Sequence, residues 1–415
     1  MSFRPPARRP PGNKTARFQA AAAPAGSEGW TSPWIQMKYF SYHPTIYPAM
    51  IKAVSPDAGP GRWVTVYDKE GQPFGHGLYN PGARVPLRMI HHGQESVDDT
   101  LLDRLVEQAI QLRLDTLTLT ACTDAFRVVH SDGDSLSGLI VDKFGDTLSI
   151  EVHSLGIYER LSRWLPVFRE KLGTRRTVVE VDPHIARMEG IRIDPKLSDP
   201  VRSVRIREHG VRYEVNFAEG HKTGFFNDQR ENRFRFSRLT KGLRVLDLCC
   251  YTGGFAVSAA VAGGAADVTG VDLDEKAVEQ AKRNANLNQA RVNWVHCDAF
   301  AYARQMQQNA QTWDAVVLDP PKFVLGREEY DDGRHKYEDL NQLAISLVKP
   351  GGLYVTCSCS GLVELPDFER MVIKGAHRQA RKLQFLDVTG AGPDHPVMSN
   401  CPESRYLKVI WARVW

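Results

Sequence analysis

Two short stretches carry residue types that do covalent chemistry, Asp319-Pro-Pro-Lys322 and Thr356-Cys-Ser-Cys-Ser-Gly361. A pyrimidine is a poor nucleophile at C5 until a thiolate adds at C6; C5 then captures a methyl group, and a base removes its proton. Cys359 is the candidate nucleophile, and Asp319 is suited to hold the protonated ring N3 of the adduct. Lys322 is a cation that would raise the thiolate fraction, only roughly 3% at pH 7 for a thiol of ordinary pKa. Pro320 and Pro321 stiffen their turn and carry no N–H, so the neighbouring carboxylate and carbonyls are held toward a pocket. Cys357 is expected to be a small buried core residue, the commonest fate of an unlinked cysteine.

Around these stretches, four acids close four successive β-prone segments: Asp247, Asp272, Asp298 and Asp319. In an open α/β sheet the ligand sits at the carboxyl ends of the strands. The loop after Asp247, Leu-Cys-Cys-Tyr-Thr-Gly-Gly, offers only Gly253 and Gly254, whereas a dinucleotide site wants Gly-x-Gly-x-x-Gly to bring backbone amides to a pyrophosphate. A nicotinamide dehydrogenase is therefore disfavoured. Four carboxylates suit a ligand with a cationic amino group, a ribose diol and an adenine but no phosphate, which is S-adenosylmethionine. On that reading Asp247 helps to hold the amino end, Asp272 accepts both ribose hydroxyls and Asp298 accepts from the adenine amino group. Cys249, Tyr251, Thr252 and Gly253 line the first loop, whose glycines let the backbone approach the methionine part. The competing reading is that each acid merely caps the helix that follows it. No metal site is expected.

The elements that must position these residues follow from hydrophobic pattern. From about Leu243 onward, near-continuous apolar strands alternate with helices (strands at 243–249, 267–272, 292–296, 314–318 and 352–357), which predicts a parallel sheet covered on both faces. Two last β-prone runs, from Leu383 and from Tyr406, have no helix between them and are expected to pair antiparallel at one edge. Residues 34–105 read as a β-rich module and 106–200 as an α+β unit, leaving 201–415 for the sheet domain. Residues 1–33 are rich in Pro, Ala, Gly and Arg, with five basic residues and no acid before Glu28. They read as a disordered basic tail, with an electrostatic tether to nucleic acid and an organelle transit peptide as alternatives. The chain of 415 residues, 42% hydrophobic and 25% charged, has no apolar run long enough for a membrane span. Seven cysteines without a secretory signal pattern point to a reducing cytoplasm.

Taken together, Gly220-His-Lys-Thr-Gly-Phe-Phe-Asn-Asp-Gln-Arg230, Tyr251-Thr-Gly-Gly-Phe255, Asp319-Pro-Pro-Lys-Phe323, Ser358-Cys-Ser-Gly361 and Asp394-His-Pro396 resemble the ribosomal RNA large subunit methyltransferase I family, which forms 5-methylcytidine in 23S ribosomal RNA. The resemblance implies a small β-rich PUA-like domain and a central α+β domain. It implies after them a Rossmann-like class I methyltransferase domain with a mixed seven-stranded sheet. It also implies Cys359 as nucleophile, and Phe225 and Gln229 as contacts to the cofactor from a segment folding over it. His43-Pro-Thr-Ile-Tyr47 stands where the family carries His-Pro-Trp-Val-Phe. Lys322 stands where two-cysteine RNA cytosine methyltransferases have a second cysteine, so the group that resolves the adduct is unassigned.

Residues 160–244 hold 20 Lys and Arg against 11 Asp and Glu, while the rest of the chain is at minus five against a total of +4. Such a basic middle fits a polyanion, here ribosomal RNA or a large-subunit assembly particle, and a target base would have to be unpaired or flipped. Two alternatives stay open: methylation at a base nitrogen with Cys359 structural, and a ribosome-assembly RNA-binding protein with a decayed methyltransferase domain. Oligomeric state is not legible.

Overall fold

The computed structural model describes residues 23–217 and 225–415. Most of the basic tail, and residues 220–224 of the Gly220–Arg230 segment, lie outside the described residues. The first unit is a six-stranded sheet of β1 (Trp34–Met37), β2 (Thr45–Ile46), β3 (Ile51–Val54), β4 (Arg62–Tyr67), β5 (Pro73–Tyr79) and β6 (Leu87–His92), in the order β2-β6-β5-β4-β1-β3. Alternate residues turn inward, as the pleat demands: Ile35 and Met37, Val64 and Val66, Leu87 and Met89 share one core.

The second unit comprises α1 (Asp99–Gln111), β7 (Ala125–His130), β8 (Leu139–Phe144), β9 (Thr147–Val152), α2 (Leu155–Tyr158), α3 (Leu161–Leu172), β10 (Arg176–Glu180) and α4 (Pro183–Glu189), with sheet order β10-β9-β8-β7. The domain boundary expected at 105/106 falls inside α1 and is corrected to the loop before it. Asp98 caps α1 by accepting from the Thr100 N–H at 2.9 Å, and the 3.6-residue repeat puts Leu102, Val106, Ala109 and Ile110 on one face, buried in the core of the second unit. Leu78 and Ile90 of the first sheet join that same core.

The hairpin β11 (Ser203–Glu208) and β12 (Val211–Asn216) and helix α5 (Arg230–Ser237) lead into the third unit. It alternates β13 (Arg244–Leu248), α6 (Gly254–Val261), β14 (Asp267–Asp272), α7 (Glu275–Leu287), β15 (Asn293–His296), α8 (Ala299–Gln308), β16 (Trp313–Leu318), α9 (Tyr330–Ser346), β17 (Val348–Ser358), α10 (Leu365–Arg378), β18 (Leu383–Thr389) and β19 (Lys408–Val414). The seven strands run β15-β14-β13-β16-β17-β19-β18. All pairs from β15 to β17 are parallel, and β19 is antiparallel to both neighbours. The strands read as continuous apolar runs because both faces are covered: Leu246, Leu248, Val316 and Leu318 enter one core, Val245, Ala315 and Val317 the other. Strand order reverses between β13 and β16, which opens a crevice at their carboxyl ends. Among the described residues no helix is long and apolar enough to cross a membrane.

Candidate active site

The crevice is built from strand ends. Asp247, one residue before the end of β13, is buried, and its Oδ2 accepts the Ala256 N–H at 2.9 Å. Its Oδ1 is enclosed and has no hydrogen-bond partner among the described residues. Burial, followed by the like charges of Asp319 and Asp272, pushes its pKa well up. The loop that follows turns sharply, with Cys249 at φ 64° and Tyr251 at φ 47°, a conformation that costs a non-glycine residue roughly 1–3 kcal/mol and clusters at functional sites. Gly253 stands at φ 81°, where an added Cβ would meet Trp294 at 2.6 Å; a side chain there has neither the backbone freedom nor the space. The Thr252 carbonyl accepts from Asn284 at 2.9 Å.

Asp272 closes β14 and braces this loop, accepting from the Tyr251 N–H at 2.7 Å and the Asp274 N–H at 2.9 Å. Each oxygen keeps a lone pair for a hydroxyl. Asp298 caps α8 through Ala301 at 2.9 Å, so for this acid the helix-cap reading holds at least for one oxygen. All four acids surround Cys249. Burial first, then the charges of Asp272, Asp319, Asp247 and Asp298, push its thiol well up. This ring of carboxylates, with an unpartnered buried oxygen at Asp247, fits a ligand that brings positive charge and hydroxyl donors.

Asp319 follows β16 and faces a different set of groups. Gln229 donates to its Oδ2 at 3.0 Å, and the Cys357 thiol lies near it. Desolvation and the nearby charge of Asp228 push its pKa up to about 7. Gln229 is held in turn by Asn232, which donates to its Oε1 at 2.8 Å, and the Tyr406 hydroxyl donates to Asp228 at 2.6 Å. Cys357 is a buried core residue, as expected, packed with Val355, Val409 and Trp411 and with its thiol near Asp319. Cys359, two residues on, is half-buried beyond the end of β17, and Lys322 is exposed on the Asp319 loop.

Phe225, expected against the cofactor, is buried with Tyr213, Val257 and Ala285, its ring 4.5 Å from the Arg233 guanidinium, where it covers the apolar side of the β11–β12 hairpin. Phe226 is the exposed neighbour, its ring 5.2 Å from that of Tyr251. Two functional contacts had weak sequence signals. Asp394 appeared only within a motif, and Lys408 only as a lysine inside the apolar run from Tyr406; both prove to be buried. The contact of His43 with Glu403 joins the first sheet to the segment before β19 and had no signal at all.

A crevice of this kind on this strand order is the methyl-transfer fold, and the comparisons with known proteins agree. The family of S-adenosylmethionine-dependent methyltransferases matches residues 191–409, and the PUA-like domain family matches residues 37–92; the protein is an S-adenosylmethionine-dependent methyltransferase with a PUA-like first domain. Along the whole chain it is 31% identical over 379 residues to Ribosomal RNA large subunit methyltransferase I of Citrobacter koseri, covering 90% of this chain and 95% of that one. It is 33% identical over 393 residues to the protein of the same name from Shewanella frigidimarina, covering 90% and 96%. The chain belongs to the ribosomal RNA large subunit methyltransferase I family. Among solved structures, one described as a SAM-dependent methyltransferase from Streptococcus mutans superimposes with a TM-score of 0.75 at 21% identity, covering 91% of this chain and 100% of that one. A methyltransferase complexed with SAH gives 0.73 at 22% identity, covering 85% and 92%.

Proposed function

We propose that the protein methylates C5 of a cytidine in large-subunit ribosomal RNA through a covalent adduct at Cys359. The substrate class comes from the name its relatives carry. The observation that supports the chemistry best is Asp319, a carboxyl pushed up to about 7 beside the strand end that carries Cys357 and Cys359. A group of that pKa both gives and takes a proton near neutrality.

Asp247 and the Cys249–Gly253 loop would hold the methionine part of the cofactor, Asp272 the ribose and Asp298 the adenine, with Gln229 and Phe226 closing over them. Bound S-adenosylmethionine supplies an electrophilic methyl group. The Cys359 thiolate adds to C6 of the ring, and protonated Asp319 gives its proton to N3, so the adduct carries no unbalanced charge. C5 then becomes nucleophilic. After methylation a solvent water takes the C5 proton, the C5–H electron pair re-forms the C5=C6 bond as the sulfur leaves as thiolate, and N3 returns its proton to Asp319. Lys322, exposed at the pocket rim, is suited to a phosphate of the flipped nucleotide as well as to the thiolate. The exposed basic residues of the second unit and its link to the third would follow the RNA backbone, on naked RNA or an assembly particle. Seven cysteines without a disulfide suit a cytoplasmic setting.

The test is methylation of ribosomal RNA by wild type and Cys359→Ala, with 5-fluorocytidine RNA as a trap. The expected result is loss of 5-methylcytidine and of the trapped adduct, a drop of at least about 10³-fold as for other covalent nucleophiles. Undiminished turnover of the variant, or a product that nucleoside mass spectrometry identifies as a nitrogen-methylated isomer, overturns the reading.

A further inference from the structure

Lys408 opens β19, paired opposite Ser358 at the end of β17. It is only 6% exposed, and its ammonium donates to the carbonyls of Ser360 at 2.6 Å and Tyr406 at 2.8 Å. Both partners are neutral oxygens. A lysine taken from water without a carboxylate is costly. Among the described residues, the titratable groups facing it across the neighbouring elements are Cys359 beyond β17 and Lys322 on the Asp319 loop. Around Cys359 stand Cys357 on β17 and Tyr337 on α9, whose hydroxyl meets Ser360 Oγ at 3.0 Å. The phenol of Tyr406, on Lys408's own segment, is turned away to Asp228. Burial, with Lys322 adding to it and Cys359 opposing it, brings the Lys408 amine down to about 8, within reach of a thiol's range.

We propose that Lys408 is the positioning residue of the nucleophile: it anchors the Cys359-Ser360-Gly361 turn through the Ser360 carbonyl and supplies the desolvated positive charge that keeps the Cys359 sulfur ionised. Lys408 carries its charge as the ammonium that donates to both carbonyls, so ionising Cys359 only releases the thiol proton to water. Lys322, exposed and hydrated, is a weaker source of the same field. The inference rests on the covalent role of Cys359 and assigns its activation to a residue outside the Asp319 loop.

The test reads the sulfur directly, without RNA or cofactor. The full-length protein is alkylated with iodoacetamide from about pH 6 to about pH 9, and Cys359 is followed by peptide mass spectrometry. In Lys408→Gln, which can still donate to both carbonyls but carries no charge, the Cys359 rate at neutral pH falls about 10-fold and its midpoint moves up by about one pH unit. Lys408→Arg restores the rate at neutral pH. If Gln fails to fold, the wild type decides: its Cys359 then alkylates at neutral pH at least about 10-fold faster than a thiol of ordinary pKa, and a rate no faster overturns the proposal. An identical Cys359 profile in wild type and folded Lys408→Gln overturns it as well. Lys408-dependent alkylation combined with full methylation by Cys359→Ala would instead overturn the covalent reading while leaving the thiolate pairing intact.

Discussion

Asp394 and Asp247 are both carboxylates withdrawn from water in the same domain, and their surroundings are opposite. Asp394 is gripped by Arg230 in a two-pronged pair at 2.8 and 2.9 Å, accepts the Arg127 N–H at 3.0 Å and touches His395 at 3.2 Å. Burial alone would raise its pKa, but His395 and Arg230 outweigh that and hold it well below the carboxylate range. Its carbonyl also accepts from the buried Arg113 of the second unit at 2.7 Å, so this site pins two units together. Asp247 has one backbone N–H, an orphan oxygen and two like charges for company. A fully paired carboxylate is structural; one left unpaired among other acids is a site waiting for a cation, and the fold carries its cost.

Breaking the paired site has the largest effect. Asp394→Ala strands Arg230 without its partner and is expected to cost about 3–5 kcal/mol, read as a lower urea midpoint. Breaking the unpaired site separates stability from function: Asp247→Asn leaves the urea midpoint unchanged or raises stability by up to about 1 kcal/mol, while calorimetry shows S-adenosylmethionine binding weakened by more than about 10-fold. A large loss of stability in that variant would mean Asp247 is structural after all.

The pH dependence sharpens the same contrast. Asp394 has a depressed pKa, so its contribution is full above the unfolded-state value near about 4 and is lost as pH falls below it. Asp319 is raised, from an ordinary 3.8 to about 7, so its contribution is full below the ordinary value and is lost as pH rises through about 7. Asp319→Asn is therefore expected to gain on wild type in thermal melts as pH rises from about 4 through about 7, with a clearly larger margin at about pH 8 than at about pH 5. Equal differences at both values would place the Asp319 pKa outside that window. The smallest effect is at the contact between His43 and Glu403, where the glutamate is 58% exposed. Glu403→Gln should cost no more than about 1 kcal/mol, measurable by the same urea titration.

Much of the sheet domain was legible because its signals are local. A strand buried on both faces must be apolar along its length, so Val245 to Leu248 and Ala315 to Leu318 announce themselves, and an acid at the end of each points to the ligand crevice. The first module was legible as β-rich from turn residues between β-prone runs, while its PUA-like character came from the family resemblance. Helix α1 was misassigned to two domains because its pattern of Leu102, Val106 and Ile110 shows that a face is buried, not against which unit. Phe225 and Phe226 are adjacent and alike, and only the hairpin packed over Phe225 decides which of them faces the loop.

What the amino-acid sequence determined by itself was the chemistry on offer: the acids, the Cys359 thiol, the glycine at 253, and the alternation that makes a parallel sheet. Those depend on residue type and on periods of a few residues. Tertiary structure alone decided which groups meet. Strand register and the antiparallel return of β19 bring Cys357 near Asp319 and Lys408 to the Ser360 carbonyl, and the closing of the second unit on the third around Arg230 and Arg113 pairs Asp394 and leaves Asp247 with no cation among the described residues. A group's protonation follows from the charges and dipoles within a few ångströms of it, and those neighbours come from residues as far apart in the chain as 230 and 394.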